Sequence, residues 1–139
     1  MKAIISTIIL SIFLILGNTQ QSYSQESKTQ NYVVLTKKVA QLKPILLAAK
    51  TLAEEDGANF GSFEIIVCGK EIGDLTDIEK LQPHLTEAKK IGATIVACGF
   101  SLKKFNVANS ELPKDIKIVD NGILYNFQLQ KKGYKSLSL

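Results

Sequence analysis

Two cysteines carry the chemistry this chain could do. Cys98 closes an apolar run, Thr94-Ile95-Val96-Ala97-Cys98, and is followed by Gly99-Phe100-Ser101. Cys68 closes a second run, Phe63-Glu64-Ile65-Ile66-Val67-Cys68, and is followed by Gly69. Each segment reads as strand, cysteine, glycine, then loop or helix. In alternating α/β chains the carboxyl ends of strands carry the functional groups. A thiol placed there against a helix N-terminus has its thiolate stabilised by the helix dipole. The glycine lets the backbone turn sharply and lets a ligand approach. The competing reading is that both cysteines are small buried hydrophobes. Cys98 is the primary candidate and Cys68 a candidate second thiol.

Other residues could support Cys98. Ser101 is placed to cap the helix after Cys98; with no histidine near it in sequence, it reads as a cap rather than a nucleophile. Lys103 and Lys104 follow within two turns, where an ammonium would lower a thiol pKa, although a lysine pair also reads as solvated surface. Asp120-Asn121-Gly122 follows a later strand, and the helix N-terminus there could hold an anion or serve only as a cap and turn.

Several chemistries are excluded by what is missing. His84 is the only histidine, and it falls in the first turn of a helix entering the third strand, at the edge opposite Cys98. It reads as a surface residue rather than as a base for a Cys–His pair. One histidine and two distant cysteines make no zinc spacing. Gly69-Lys70 and Gly73 do not form a P-loop, and no G-x-G-x-x-G follows a strand. No metal or cofactor is expected. The 17 basic residues are all lysine and are scattered among 13 acidic ones, without the clustered arginine and aromatic residues of a nucleic-acid binder.

The elements that must position these groups alternate between strand and helix. Strands are predicted over Tyr32–Thr36, Phe63–Cys68, Thr94–Cys98, Ile116–Val119 and Tyr134–Leu139. Leu42–Asp56 has the i, i+3, i+4 apolar spacing of a helix, with Pro44 in its first turn and Gly57 as its stop. Its last residues, Glu54-Glu55-Asp56, oppose the dipole. Leu75–Leu81 predicts a short helix, and Pro83 starts another that runs to Ile91, because proline breaks a continuous one. A short helix follows at Ser101–Phe105. Asn121 caps a last one over Gly122–Lys132, with Ile123, Leu124 and Phe127 facing inward. Each crossover is long enough for parallel pairing. The predicted fold is a three-layer α/β/α sandwich on a five-stranded parallel sheet.

The chain opens Met1-Lys2, runs almost purely apolar from Ala3 to Gly17, and reaches Ser22-Tyr23-Ser24. That layout predicts a signal peptide over residues 1–24, since the run is shorter than the roughly 20 residues of a membrane span. Residues 25–31 are a polar lead-in and 32–139 a single domain of ordinary size. The mature protein is then expected to be periplasmic or secreted, free of the membrane, in a compartment where a Cys68–Cys98 disulfide can form.

The runs Ile95-Val96-Ala97-Cys98-Gly99-Phe100-Ser101-Leu102, Asp120-Asn121-Gly122-Ile123 and Leu129-Gln130-Lys131-Lys132-Gly133-Tyr134 together resemble the DsrE/DsrF family of small sulfur-handling proteins. The resemblance covers nearly all of the mature chain and rests on the order and spacing of the three segments. It implies a flavodoxin-like (DsrEFH-like) sandwich with strand order 4-3-2-1-5, and homo-oligomers, as trimers or hexamers. It also implies a sulfur carrier in which Cys98 holds a persulfide, supported by Gly99, Ser101, Lys103, Asn121 and Gly122. Its partners would be a sulfur donor or acceptor, either a protein or a small sulfur compound. Sulfurtransferase-like turnover is a further implication; if that strand order holds, Cys68 and Cys98 end neighbouring strands, and Cys68 is then a candidate resolving partner. Two other functions stay open: a non-catalytic oligomeric module binding a small ligand or partner at the same edge, and a Cys68/Cys98 thiol–disulfide redox protein.

Overall fold

The computed structural model describes residues 29–139. The expected signal peptide and its cleavage point lie outside the described residues. Five strands form one sheet: β1 Gln30–Thr36, β2 Phe60–Val67, β3 Ala93–Cys98, β4 Lys117–Val119 and β5 Lys135–Ser138. All neighbouring pairs are parallel, in the order β4-β3-β2-β1-β5. Four α-helices connect them: α1 Leu42–Asp56, α2 Ile78–Ile91, α3 Gly99–Lys104 and α4 Gly122–Lys131. The chain is therefore a flavodoxin-like three-layer α/β/α sandwich. β1 begins at Gln30, so the end of the expected lead-in is ordered, with Asn31 Oδ1 accepting from the Ser62 N–H at 2.8 Å.

The two faces of the sheet are covered unequally. Alternation along each strand sends Val34, Ile65, Val67, Ile95 and Ala97 to one face, where α1 and α2 bury them with Leu42, Ile45, Leu81 and Leu85. Leu102 places α3 on that face as well. The other face presents Val33, Leu35, Ile66, Cys68, Val96 and Cys98, buried with Leu129 of α4. The first three crossovers thus pass over one face and the β4–β5 crossover over the other. Adjacent strands β3 and β4 send their following segments to opposite faces, which defines the topological switch point of the sheet.

Two helices depart from expectation. α2 is continuous through Pro83. Pro83 lacks the N–H that would reach the Glu79 carbonyl in the first turn, and both residues are exposed, so that carbonyl lies open to solvent. Asp77 caps this helix by accepting from the Lys80 N–H at 3.2 Å. In α4, Ile123, Leu124 and Phe127 face solvent, 58%, 55% and 55% exposed, while Gly122, Asn126 and Leu129 face the sheet. This helix is apolar around much of its circumference, so periodicity alone does not select its inner face. The close approach of Gly122 and the polar anchors of Tyr125 and Asn126 select it instead. The acidic end of α1 also gains a reason. Asp56 accepts from the Tyr32 hydroxyl at 2.6 Å, a bond that pushes the Tyr32 pKa up to about 12.

Candidate functional site

Register brings the two cysteines together. β2 and β3 align Ile66 with Val96 and Val67 with Ala97. One residue further in the same register stand Cys68 and Cys98, on neighbouring strands roughly 4.8 Å apart. Both side chains point to the α4 face. Both cysteines are free and buried, Cys98 3% and Cys68 7% exposed. They sit at the carboxyl edge, and Cys98 borders the β3/β4 switch point.

That switch point is closed by backbone. The Phe100 N–H donates to the Asp120 carbonyl at 2.8 Å. A Cβ on Gly99 would lie 3.0 Å from the Val119 carbonyl oxygen, so any larger residue would push the β4 end away. Asn121 caps α4, its Oδ1 accepting from the Ile123 and Leu124 N–H groups at 3.0 and 3.1 Å. The first helical residue, Gly122, then lies directly on the thiols. A Cβ there would meet Cys68 Sγ at 2.7 Å, Ile66 Cγ2 at 2.8 Å and Cys98 Cβ at 3.1 Å. Having none, Gly122 brings its N–H within 3.2 Å of Cys98 Sγ, to which it donates.

Two helix ends therefore meet Cys98: that of α4 through the Gly122 N–H, and that of α3, which follows Cys98 in sequence, through the Ser101 N–H. The Ser101 side chain has another place than the expected cap. It is the third residue of α3, and its Oγ accepts from the Gly69 N–H at 2.9 Å. Gly69 adopts φ +86°, a left-handed conformation that favours glycine. One buried hydroxyl thus ties together the two Cys-Gly corners. Lys103 is exposed in the last turn of α3.

The two thiols have opposite character. Burial pushes the Cys68 thiol up to about 12, and the neighbouring Cys98 adds to that rise. Burial pushes Cys98 up too, but the Ser101 hydroxyl, the Gly122 and Ser101 N–H groups and the Cys68 thiol together outweigh it, holding Cys98 below its ordinary value. The arrangement sets a thiol with a lowered pKa beside one whose pKa is raised.

A polar cluster on the same face escapes the reading of the sequence. Glu64, in the middle of β2, is only 8% exposed. Its Oε2 accepts from the Tyr125 hydroxyl of α4 at 2.7 Å and pairs with Lys117 Nζ of β4 at 3.5 Å. Lys117 also donates to the Tyr125 hydroxyl oxygen and lies 4.6 Å from that ring's centroid. The available signal was Glu64 itself, the one charge in a run expected to be covered on both faces, because a buried carboxylate requires partners.

His84 lies on the opposite face, half-buried in α2, its pKa lowered by burial and by Lys43. It borders two open cavities of about 240 and 350 Å³, one also lined by Asp74, Asp77 and Lys80, the other by Lys43, Lys50 and Glu87. Neither reaches the cysteines. Among the described residues no group of three His, Cys, Asp or Glu side chains could hold a metal ion, and no helix is long and apolar enough to cross a membrane.

No family model and no curated protein matches the chain. Two solved structures share its fold. One is a protein of unknown function from Methanobacterium thermoautotrophicum, 14% identical, with a TM-score of 0.62 over 79% of this chain and 99% of that one. The other is a conserved protein of unknown function from Bacteroides thetaiotaomicron, 21% identical, with a TM-score of 0.58 over 78% of this chain and 95% of that one.

Proposed function

We propose that the protein is a DsrE-like thiol carrier of sulfane sulfur, with Cys98 as the acceptor. The observation that carries this reading is the Gly122 N–H donating to Cys98 Sγ while Cys68 stays protonated beside it. A thiolate is the nucleophilic form of cysteine. The Cys98 thiolate attacks the outer sulfur of a polysulfide or persulfide donor. A new S–S bond forms on Cys98, the donor's S–S bond breaks, and the remaining donor sulfur leaves as a thiolate with the electron pair. An acceptor thiolate then takes the outer sulfur, and Cys98 departs as thiolate. No general base is required, which suits a carrier more than a sulfurtransferase-like turnover enzyme. Because Cys98 is buried, the loaded state requires the Asp120–Gly122 corner to lift from the sheet.

In this reading Cys68 donates a hydrogen bond to the charged sulfur. Its raised pKa makes it a poor attacking thiol, which argues against a resolving role and against a redox cycle through a Cys68–Cys98 disulfide. The burial of both thiols favours a second reading, a non-catalytic binding module in which they only fill space. Assembly as trimers or hexamers and a periplasmic or secreted setting, with a donor or acceptor found there, complete the proposal.

The test is incubation with inorganic polysulfide followed by peptide mass spectrometry. The Cys98 peptide of the wild type is expected to gain the mass of one or more sulfur atoms, reversibly with a reducing thiol, and Cys98→Ser to gain none. Equal loading of Cys98→Ser removes Cys98 as the acceptor. No loading of either protein, together with a Cys98 pKa near the ordinary ~8.5, selects the binding module.

A further inference from the structure

We infer that Glu64, through Tyr125 and Lys117, is the positioning residue that sets the Gly122 N–H on Cys98 and so tunes its reactivity. This inference rests on Cys98 being the reactive thiol proposed above.

The Phe100 N–H holds the Asp120 carbonyl side of the corner, but the α4 side, where Gly122 meets Cys98, needs a tie of its own. β4 has three residues, with Lys117 and Ile118 exposed and Val119 half-buried. In the first two turns of α4 the outward residues Ile123, Leu124 and Phe127 are apolar and make no polar anchor, and of its first four residues only Gly122 is buried, while Asn126 and Gln130 bond Ser136 further along the helix. Glu64 supplies the tie. One carboxylate, fixed in the middle of a central strand, accepts from Tyr125 one turn after Gly122 and pairs with Lys117 on the strand before it. The tether therefore spans both sides of the Asp120–Gly122 corner. Tyr125 also belongs to the corner's backbone, its N–H donating to the Asn121 carbonyl at 2.9 Å. Burying a carboxylate is costly unless it is paired and hydrogen-bonded, so the cluster holds one geometry. Moving α4 outward would take Tyr125 from Glu64 and leave Lys117 as its one partner.

Cys98 is faced by Cys68 at the end of β2, by the Ser101 hydroxyl and N–H of α3, and by the Gly122 N–H of α4. Lys37 acts on Cys68, and Asp120 is exposed at the corner itself. Among these, only the Gly122 N–H depends on where α4 sits. Ser101 is held independently by Gly69. Loosening the tether is thus expected to remove one stabilising donor and leave the others in place.

The experiment is the pH profile of Cys98 alkylation by iodoacetamide, read on the Cys98 peptide by mass spectrometry, in the full chain. Tyr125→Phe keeps the ring and deletes only the hydroxyl. Glu64→Gln keeps the shape and deletes the charge. Both are expected to raise the midpoint by about half to one pH unit, roughly three- to tenfold in thiolate fraction at neutral pH, the scale of one lost hydrogen bond. The high-pH plateau rate is expected to rise too, as the seal loosens. Tyr32→Phe is the control, since it breaks a tyrosine–carboxylate bond on the other face and is expected to leave the midpoint where it is. If Glu64→Gln does not fold, Tyr125→Phe carries the test. A depressed wild-type midpoint that Tyr125→Phe leaves unchanged, or that Tyr32→Phe raises equally, overturns the positioning role and leaves Cys98 as the reactive thiol. A wild-type midpoint in the ordinary thiol range overturns both.

Discussion

The two faces of this sheet do different work. The face under α1 and α2 is a thick apolar core, with Leu42, Ile65, Ile72, Leu75, Leu81 and Ile95 fully buried. The face under α4 is thin. Its buried cluster holds both cysteines beside a few aliphatic residues, and the polar ties of Glu64 and Asn126 hold the helix down, Asn126 Oδ1 accepting from the Ser136 hydroxyl at 3.0 Å. The thick face supplies most of the apolar burial. The thin face can open locally at smaller cost, because elements with few buried contacts occupy the low end of local stability. Both cysteines lie on the second.

The largest effect that sharpens this contrast is expected at Leu42. Leu42→Ala leaves a cavity in the thick core and should cost about 2–5 kcal/mol. Chemical denaturation measures that loss, and the alkylation midpoint of Cys98 should stay unchanged. A shifted midpoint would mean that the two faces are not independent.

Next in size is Gly122→Ala. The added methyl meets Cys68 Sγ at 2.7 Å, so α4 must move by a fraction of an ångström. Overpacking of this kind costs about 1–3 kcal/mol. Here the alkylation midpoint of Cys98 should rise together with the loss of stability, because the Gly122 N–H leaves the sulfur. A Gly122→Ala protein with the wild-type midpoint breaks the link between helix placement and thiol chemistry.

A third effect concerns pH and is confined to alkaline conditions. Cys68 is raised in the folded protein to about 12. A group that folding keeps protonated contributes stability that is fully present below its unfolded pKa, near 9, and is lost as pH rises toward 12. The melting temperature should fall across that window, and Cys68→Ala should fall less steeply than the wild type. Parallel slopes would remove Cys68 as a source of alkaline sensitivity.

Much of the scaffold is legible in the residues. The bounds of α1 follow from its apolar spacing and from Gly57, the first four strands from their apolar, largely β-branched runs, and the fifth from alternation. Asn121 was readable as a cap because its side chain acts on its own neighbours. Ser101 was not readable, since its partner, Gly69, is a residue that only folding brings near. Pro83 misled because the cost of a helical proline depends on whether water reaches the orphaned carbonyl, and exposure is a tertiary property. The inner face of α4 was unreadable for a related reason: apolar residues on several sides leave the choice to whatever the helix meets.

The two Cys-Gly corners, their places at strand ends and the absence of histidine beside them are properties of the sequence alone. That the thiols meet, and that they differ, are not. Their meeting depends on β2–β3 register. Their difference depends on the Ser101 hydroxyl and on a helix that begins 24 residues after Cys98 and returns over the opposite face of the sheet. Proximity within the chain shows which residues can share a turn. Only the packed structure decides which donor reaches a buried sulfur, because desolvation and hydrogen bonding act through space over a few ångströms.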